Sequence, residues 1–295
     1  MNFPAVISLW SLSAPLRTAS AFRFSSYSYG RRFDRNRYLH SGSASNVIMP
    51  PSPLEADLNR MLLIAGNQSK KEWWENYLKG FDMKFYGVPM ARIRYISQSF
   101  WDDNELGIDF ILGLFKIPVA EPKLAAIILL ETRYLDKVDE TDVPRLAALF
   151  DDGHISDWHI CDWFCTKFLS NLLRRKPAFK RILRGWNHGT TIWQRRASAV
   201  MFVPLAKSCK LEEAKEMMEI ASAGLGPTRF EQTGVAWLMA ELSISHKELV
   251  AVWVEEHKSI LSKEALERAS KRLPKRGVAR ETSSNEKVKK RKNRK

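Results

Sequence analysis

The chain has 295 residues, is 45% apolar and carries a formal net charge of +14, enough for one large domain or two small ones with a packed core. Three cysteines supply no disulfide framework and fit a reducing compartment. The longest strictly apolar run, Leu124 to Leu130, is far too short to cross a bilayer, so a membrane protein of helical type is excluded.

The positive charge sits at the two ends. Residues 1–54 hold six Arg and one acid, Asp34, and residues 271–295 hold twelve Lys/Arg and two Glu, which leaves residues 55–270 at −1. The Ser- and Arg-rich leader, 1–54, has the composition of a transit peptide to a mitochondrion or plastid and is not expected to belong to the fold. From residue 55 the pattern is helical with short breaks. Ser69-x-x-Glu72 predicts a capped helix through Trp73, Trp74 and Tyr77. Pro89 starts a helix through Tyr95 and Trp101, and Leu106 to Phe115 forms the next. Pro122 stands in the first turn of a helix through Glu131, and Asp142-Val143-Pro144 opens another that ends near Gly153.

Ser156 is expected to cap the helix that carries Trp158 and Asp162. Pro177 restarts a short helix to Arg184, and residues 185–189 read as a loop. A long helix through Trp193, Arg196 and Phe202 is expected to kink at Pro204. Leu211 to Ala223 is helical. Thr228-x-x-Glu231 and Ser245-x-x-Glu248 are two further capping boxes, opening helices that contain Trp237 and Trp253, and Ser262 to Leu273 closes the series. Residues 274–295 are too charged and too poor in apolar side chains to bury a face, so a disordered basic tail is expected. Its Lys/Arg clusters also resemble a nuclear localisation signal, the alternative to an organelle. Equivalent features recur 34 to 41 residues apart, from Asp162 to Arg196 and from Arg196 to Trp237, which is close to the spacing of HEAT-type helix pairs. The expectation is an all-α stack of paired helices.

One stretch stands out by charge. After Asp162 there is no Asp or Glu until Glu212, and the intervening 49 residues hold eleven Lys/Arg, among them Arg174, Arg175, Lys176, Lys180, Arg184, Arg195 and Arg196. An acid at the lip of an acid-free basic run predicts a polyanion held against one carboxylate. Cys161 and Cys165, four apart beside His154 and His159, lack a second ligand pair and read as buried thiols in place of a metal site.

Trp158-x-x-x-Asp162, then Trp193-Gln194-Arg195-Arg196 running on to Lys207, then Thr233-Gly234-Val235-Ala236-Trp237-Leu238 resemble, in this order, the AlkD family of DNA alkylation repair glycosylases. Phe85-Tyr86-Gly87-Val88-Pro89 is similar to an early helix-loop-helix segment of that family, and residues 255–266 to its closing helices. The resemblance covers about residues 55–273. It implies a HEAT-like α/α superhelix whose concave face grips duplex DNA, and hydrolysis of the N-glycosidic bond of purines alkylated at N3 or N7. Carried onto this chain, it makes Asp162 the catalytic carboxylate, Trp158 and Trp237 the aromatic walls, and Arg196 a phosphate contact. The family needs no metal or cofactor, and a monomer is expected. A catalytically silent scaffold of the same fold, binding nucleic acid or another protein, is the alternative reading.

Overall fold

A computed structural model describes residues 50–104 and 106–274. Most of the expected leader and nearly all of the expected tail lie outside these residues. The described part belongs to a single compact unit, built from helices with no strand among the described residues. A lone parallel bridge joins Lys84 to Val119.

The helices are α1 (Pro53–Ile64), α2 (Gln68–Tyr77), α3 (Met90–Asp102), α4 (Ile108–Lys116), α5 (Ala120–Leu129) and α6 (Asp142–Asp151). They continue with α7 (Trp158–Trp163), α8 (Ser170–Arg175), α9 (Phe179–Leu183), α10 (Ile192–Val200), α11 (Val203–Ala206), α12 (Leu211–Ala223), α13 (Arg229–Leu242), α14 (Lys247–His257) and α15 (Lys263–Ala269). Single π-helical segments extend α5 (Leu130–Tyr134) and join α7 to α8 (Phe164–Leu169).

The stack is held together at a regular distance along the chain. Arg133 meets Asp102, Asn171 meets Glu131, Asn187 meets the Ile220 carbonyl, and Trp253 meets Ser222, at separations of 31, 40, 33 and 31 residues. Each element therefore bonds to the one a helix pair away, which is how an α/α solenoid of HEAT type holds its repeats in register. Helix α5 is buried along its whole length. Its Glu121 accepts the backbone N–H groups of Tyr86, Gly87 and Val88 at 2.9, 2.7 and 3.2 Å, which ties the N-terminal helices to the core. Gly87 has φ +80°, and a Cβ there would lie 2.1 Å from the Asn67 carbonyl oxygen, so this turn excludes any side chain.

Several expected helix starts differ by one or two residues, for reasons of local hydrogen bonding. Asn67, not Ser69, caps α2, accepting from Lys70 N. Asp157, not Ser156, caps α7, accepting from Ile160 N. Thr228 and Glu231 do form a reciprocal box at α13. Ser245 instead donates to the Lys207 carbonyl and leaves α14 without a side-chain cap. Pro204 does not kink one long helix; the helix ends at Val200 and Pro204 enters the first turn of the short α11. The expected loop at 185–189 is largely a 3₁₀ turn, Arg184–His188. No helix among the described residues is long and apolar enough to cross a membrane.

Candidate functional site

Three contacts set the register of α7, and of the π segment and α8 that follow it, against α10 and its C-terminal end. The Cys161 and Cys165 thiols donate to the carbonyls of Trp193 and Ala197 at 3.5 and 3.9 Å, and Ser170 Oγ donates to the Met201 carbonyl at 2.6 Å. Cysteines one turn apart on one helix thus meet carbonyls one turn apart on the other. Both thiols are buried and serve as packing groups. This register brings Asp162 face to face with Arg196.

The two side chains form a forked pair, Nε to Oδ1 at 2.8 Å and Nη2 to Oδ2 at 2.9 Å, with only 8% and 3% of the Asp162 and Arg196 side chains exposed. The other arm of the guanidinium reaches α13, donating from Nη1 to the Phe230 carbonyl at 2.7 Å and to Thr233 Oγ1 at 3.3 Å. Gly234 allows that approach, since a Cβ there would lie 3.0 Å from Arg196 Cγ. Burial alone pulls the Arg196 pKa down; the Asp162 charge and hydrogen bonds more than offset it, and the pKa ends above the usual value.

Trp158 lies one turn before Asp162, and Trp237 one turn after Thr233, both half-buried. The Trp158 indole meets the edge of Tyr77 from α2 at 5.9 Å, and Tyr77 stacks on the exposed Trp73 at 5.0 Å. The Trp237 indole has the guanidinium of Arg268, from α15, 5.6 Å from its centroid. The fold thus joins Asp162, Arg196 and Thr233 directly and puts an indole within one turn of each end of that chain of contacts. Tyr77, Thr233 and Arg268 were given no site role from sequence. Thr233 had a usable signal, standing four residues before Trp237 on one helical face; Tyr77 and Arg268 are distant in sequence and had none.

The phosphate role expected for Arg196 does not fit this geometry: its guanidinium is buried and committed to Asp162 and α13. Arg195 is likewise engaged, with Nε 2.5 Å from Glu231 Oε1 and Nη1 donating to the carbonyls of Gly189 and Thr190. The acid-free run is also balanced by the fold. Arg175 pairs with Asp136, Lys180 with Glu216 and Arg184 with Glu219, each across one repeat. Lys176 donates to the carbonyls of Asp136 and Val138, and Arg174 to Asn171 within its own helix. Part of the charge segregation along the chain is thus cancelled in space, because a solenoid places residues some 35 apart side by side.

A second set of titratable groups is buried next to the first. Burial raises the Asp157 carboxyl to about 6, against the Ile160 N–H bond and the Lys123 charge that lower it. Lys123, whose ammonium donates to the carbonyls of Phe115 and His154, is lowered by burial to about 8. His159, packed on Trp74 at 4.8 Å, is lowered by burial to about 4, and its Nδ1 makes no hydrogen bond. Among the described residues no group of His, Cys, Asp and Glu is arranged to hold a metal ion.

The chain is similar to a solved structure described as a predicted DNA alkylation repair enzyme from Enterococcus faecalis, with 17% identity and a TM-score of 0.58 over 71% of this chain and 97% of that one. At that identity the likeness speaks for the fold. No curated protein matches the chain. The family pattern described as DNA alkylation repair enzyme matches residues 58–273, from within α1 to just beyond α15, and the chain belongs to that family.

Proposed function

We propose that the protein is a DNA glycosylase that hydrolyses the N-glycosidic bond of N3- or N7-alkylated purines in duplex DNA. The observation that carries this reading is the Asp162 carboxylate, held in one orientation by the Arg196 fork and flanked within a turn by Trp158. An N3- or N7-alkylated purine is cationic and leaves as a neutral base, taking the electrons of the C1′–N bond. The charge that then builds on the sugar is oxocarbenium-like. A fixed carboxylate beside C1′ stabilises it, and also orients the water whose oxygen bonds to C1′ while its proton passes to solvent. Indole faces suit the C–H edges of the sugar and attract a cationic base by about 0.5–2 kcal/mol for a good contact. No step of this chemistry requires a cofactor.

The scaffold alternative has one observation in its favour: both Asp162 oxygens are already engaged by Arg196, and the pair is almost out of solvent. Release of 7-methylguanine or 3-methyladenine from methylated duplex DNA separates the two readings. The glycosylase reading expects free base in the supernatant; binding to DNA without any release supports the scaffold.

A further inference from the structure

Residues 67–86, which carry α2 and the turn after it, are joined to each other at their two ends. Asn67 N–H donates to the Tyr86 carbonyl at 3.0 Å, and the Tyr86 hydroxyl donates to Asn59 Oδ1 at 2.9 Å. Glu121 holds the amides of Tyr86, Gly87 and Val88, and the Lys84 carbonyl accepts from Ala120 N at 3.0 Å. The base of this arm is therefore fixed. Among the described residues, no hydrogen bond or ion pair joins 68–83 to the chain outside the arm; the side-chain pairs Gln68–Glu72 and Lys71–Glu75 stay within α2. Helix α2 contains no buried residue, and Leu78 is the one buried side chain of the arm's outer part.

What holds the outer part against the stack is a line of aromatic rings. Trp74 packs on His159 at 4.8 Å, and Tyr77 meets Trp158 edge-on at 5.9 Å. Phe81 touches both Trp193 at 6.0 Å and Phe230 at 5.6 Å. Trp158, Trp193 and Phe230 stand in the first turns of α7, α10 and α13. Each lies one turn before a member of the buried cluster: Trp158 before Asp162, Trp193 before Arg196 and Phe230 before Thr233. The arm thus lies along the row of helix starts that leads into the site. With the arm in this position Asp162 exposes 8% of its side chain and Arg196 3%, too little for a sugar to reach the carboxylate.

We propose that residues 68–83 form a movable cover of the site. It pivots on the base at Asn67, Tyr86 and Glu121, and it opens when the Tyr77 and Phe81 rings come off Trp158, Trp193 and Phe230. The cover rests on the glycosylase reading for its purpose, which is to keep water from Asp162 until a nucleotide arrives, but not for its test. Ring contacts are a small barrier to opening, because each aromatic pair adds little beyond the apolar area it hides. The base is held by hydrogen bonds, three of them to one carboxylate, and does not part with it. Segments that open ahead of global unfolding are those from which lids are made. While the cover is closed, apparent affinity for DNA is reduced by the fraction of molecules that stand open.

The test uses the full chain as wild type, Phe81→Ala and Phe81→Tyr. Amide hydrogen exchange is measured on the free proteins. Stopped-flow association is measured with a fluorescein-labelled duplex carrying one tetrahydrofuran abasic nucleotide, whose sugar has no base to release. In wild type the α2 amides are expected to exchange at least about tenfold faster than those of α5. Phe81→Ala is expected to raise α2 exchange by about a further tenfold, leave α5 exchange unchanged, and speed association by about the same factor as the open fraction grows. Phe81→Tyr keeps the ring and is expected to match wild type. Exchange of α2 in step with α5 overturns the proposal, because the arm would then open only with the whole fold. Association unchanged or slowed in Phe81→Ala also overturns it, as the mark of a contact that only supports the fold. Wild type that releases no base from methylated duplex, with the faster association of Phe81→Ala intact, would remove the glycosylase reading and leave the cover standing.

Discussion

Two sets of ion pairs span the same repeat distance and do different work. Asp162–Arg196 is 34 residues apart, forked and buried; Arg184–Glu219 is 35 apart, single and exposed on both sides, and Arg175–Asp136 is exposed as well. The solenoid supplies the spacing in both cases, but the surroundings decide the energetics. An exposed pair contributes between nothing and about 1 kcal/mol, so its cation exchanges a carboxylate for a DNA phosphate at little cost. A buried pair cannot exchange partners, because either charge left alone in the interior is heavily penalised. Under the proposed function the surface pairs are the ones free to trade a carboxylate for a phosphate, and the buried pair holds one carboxylate still.

The sharpest way to break this contrast is to remove one arginine from each set. Arg196→Ala is expected to destabilise the fold by about 3–5 kcal/mol, since it leaves Asp162 buried and unpaired. Arg184→Ala should cost less than about 1 kcal/mol. Urea unfolding of both variants measures the difference, and equal losses would mean that burial does not separate the two sets.

Next in size are the buried groups behind Asp162, which oppose each other with pH. Burial lowers His159 from 6.5 to about 4, so its contribution is full above 6.5 and is lost as pH falls toward 4. Burial raises Asp157 from 3.8 to about 6, so its contribution is full below 3.8 and is lost as pH rises toward 6. Each amounts to roughly 3 kcal/mol, and with opposite signs they largely cancel in that window. His159→Leu should therefore make stability fall, relative to wild type, as pH rises from 4 to 6. Asp157→Asn, which keeps the acceptor for Ile160 N, should make it rise. Unfolding midpoints measured across that range decide it; slopes unchanged in both variants would show that neither group titrates there.

Smallest for stability but direct for DNA is the surface set. Replacing Arg175, Lys180 and Arg184 by Ala together should lower the salt slope of duplex binding by about 0.9 for each phosphate these side chains neutralise, with the melting temperature nearly unchanged. An unaltered slope would remove this face from the DNA-binding surface.

The helices were legible because their signals are local. Thr228 with Glu231, Pro89, and the stretch Leu211 to Ala223 appear where helix chemistry puts them. The repeat was legible as a spacing of 34 to 41 residues, and the cross-repeat bonds fall close to it, at 31 to 40. What escaped was the pairing state of charges. Arg196 looked like a surface contact until Cys161 and Cys165 fixed the register that turns it onto Asp162, and the basic run looked uncompensated until Asp136, Glu216 and Glu219 came beside it. Arg268 could not be found from sequence because its partner Trp237 lies 31 residues away on another helix, with no motif linking them.

The most direct measurement is the single-turnover release of 7-methylguanine from methylated duplex DNA by wild type and Asp162→Asn, with DNA affinity and melting recorded alongside. Wild type is expected to release the base. The variant leaves the Arg196 charge without its counter-ion and so melts lower; assayed below its melting temperature, it is expected to bind DNA but to release the base at least about 100-fold more slowly. Release by that variant at the wild-type rate would contradict the assignment, since the carboxylate would then have no part in breaking the bond.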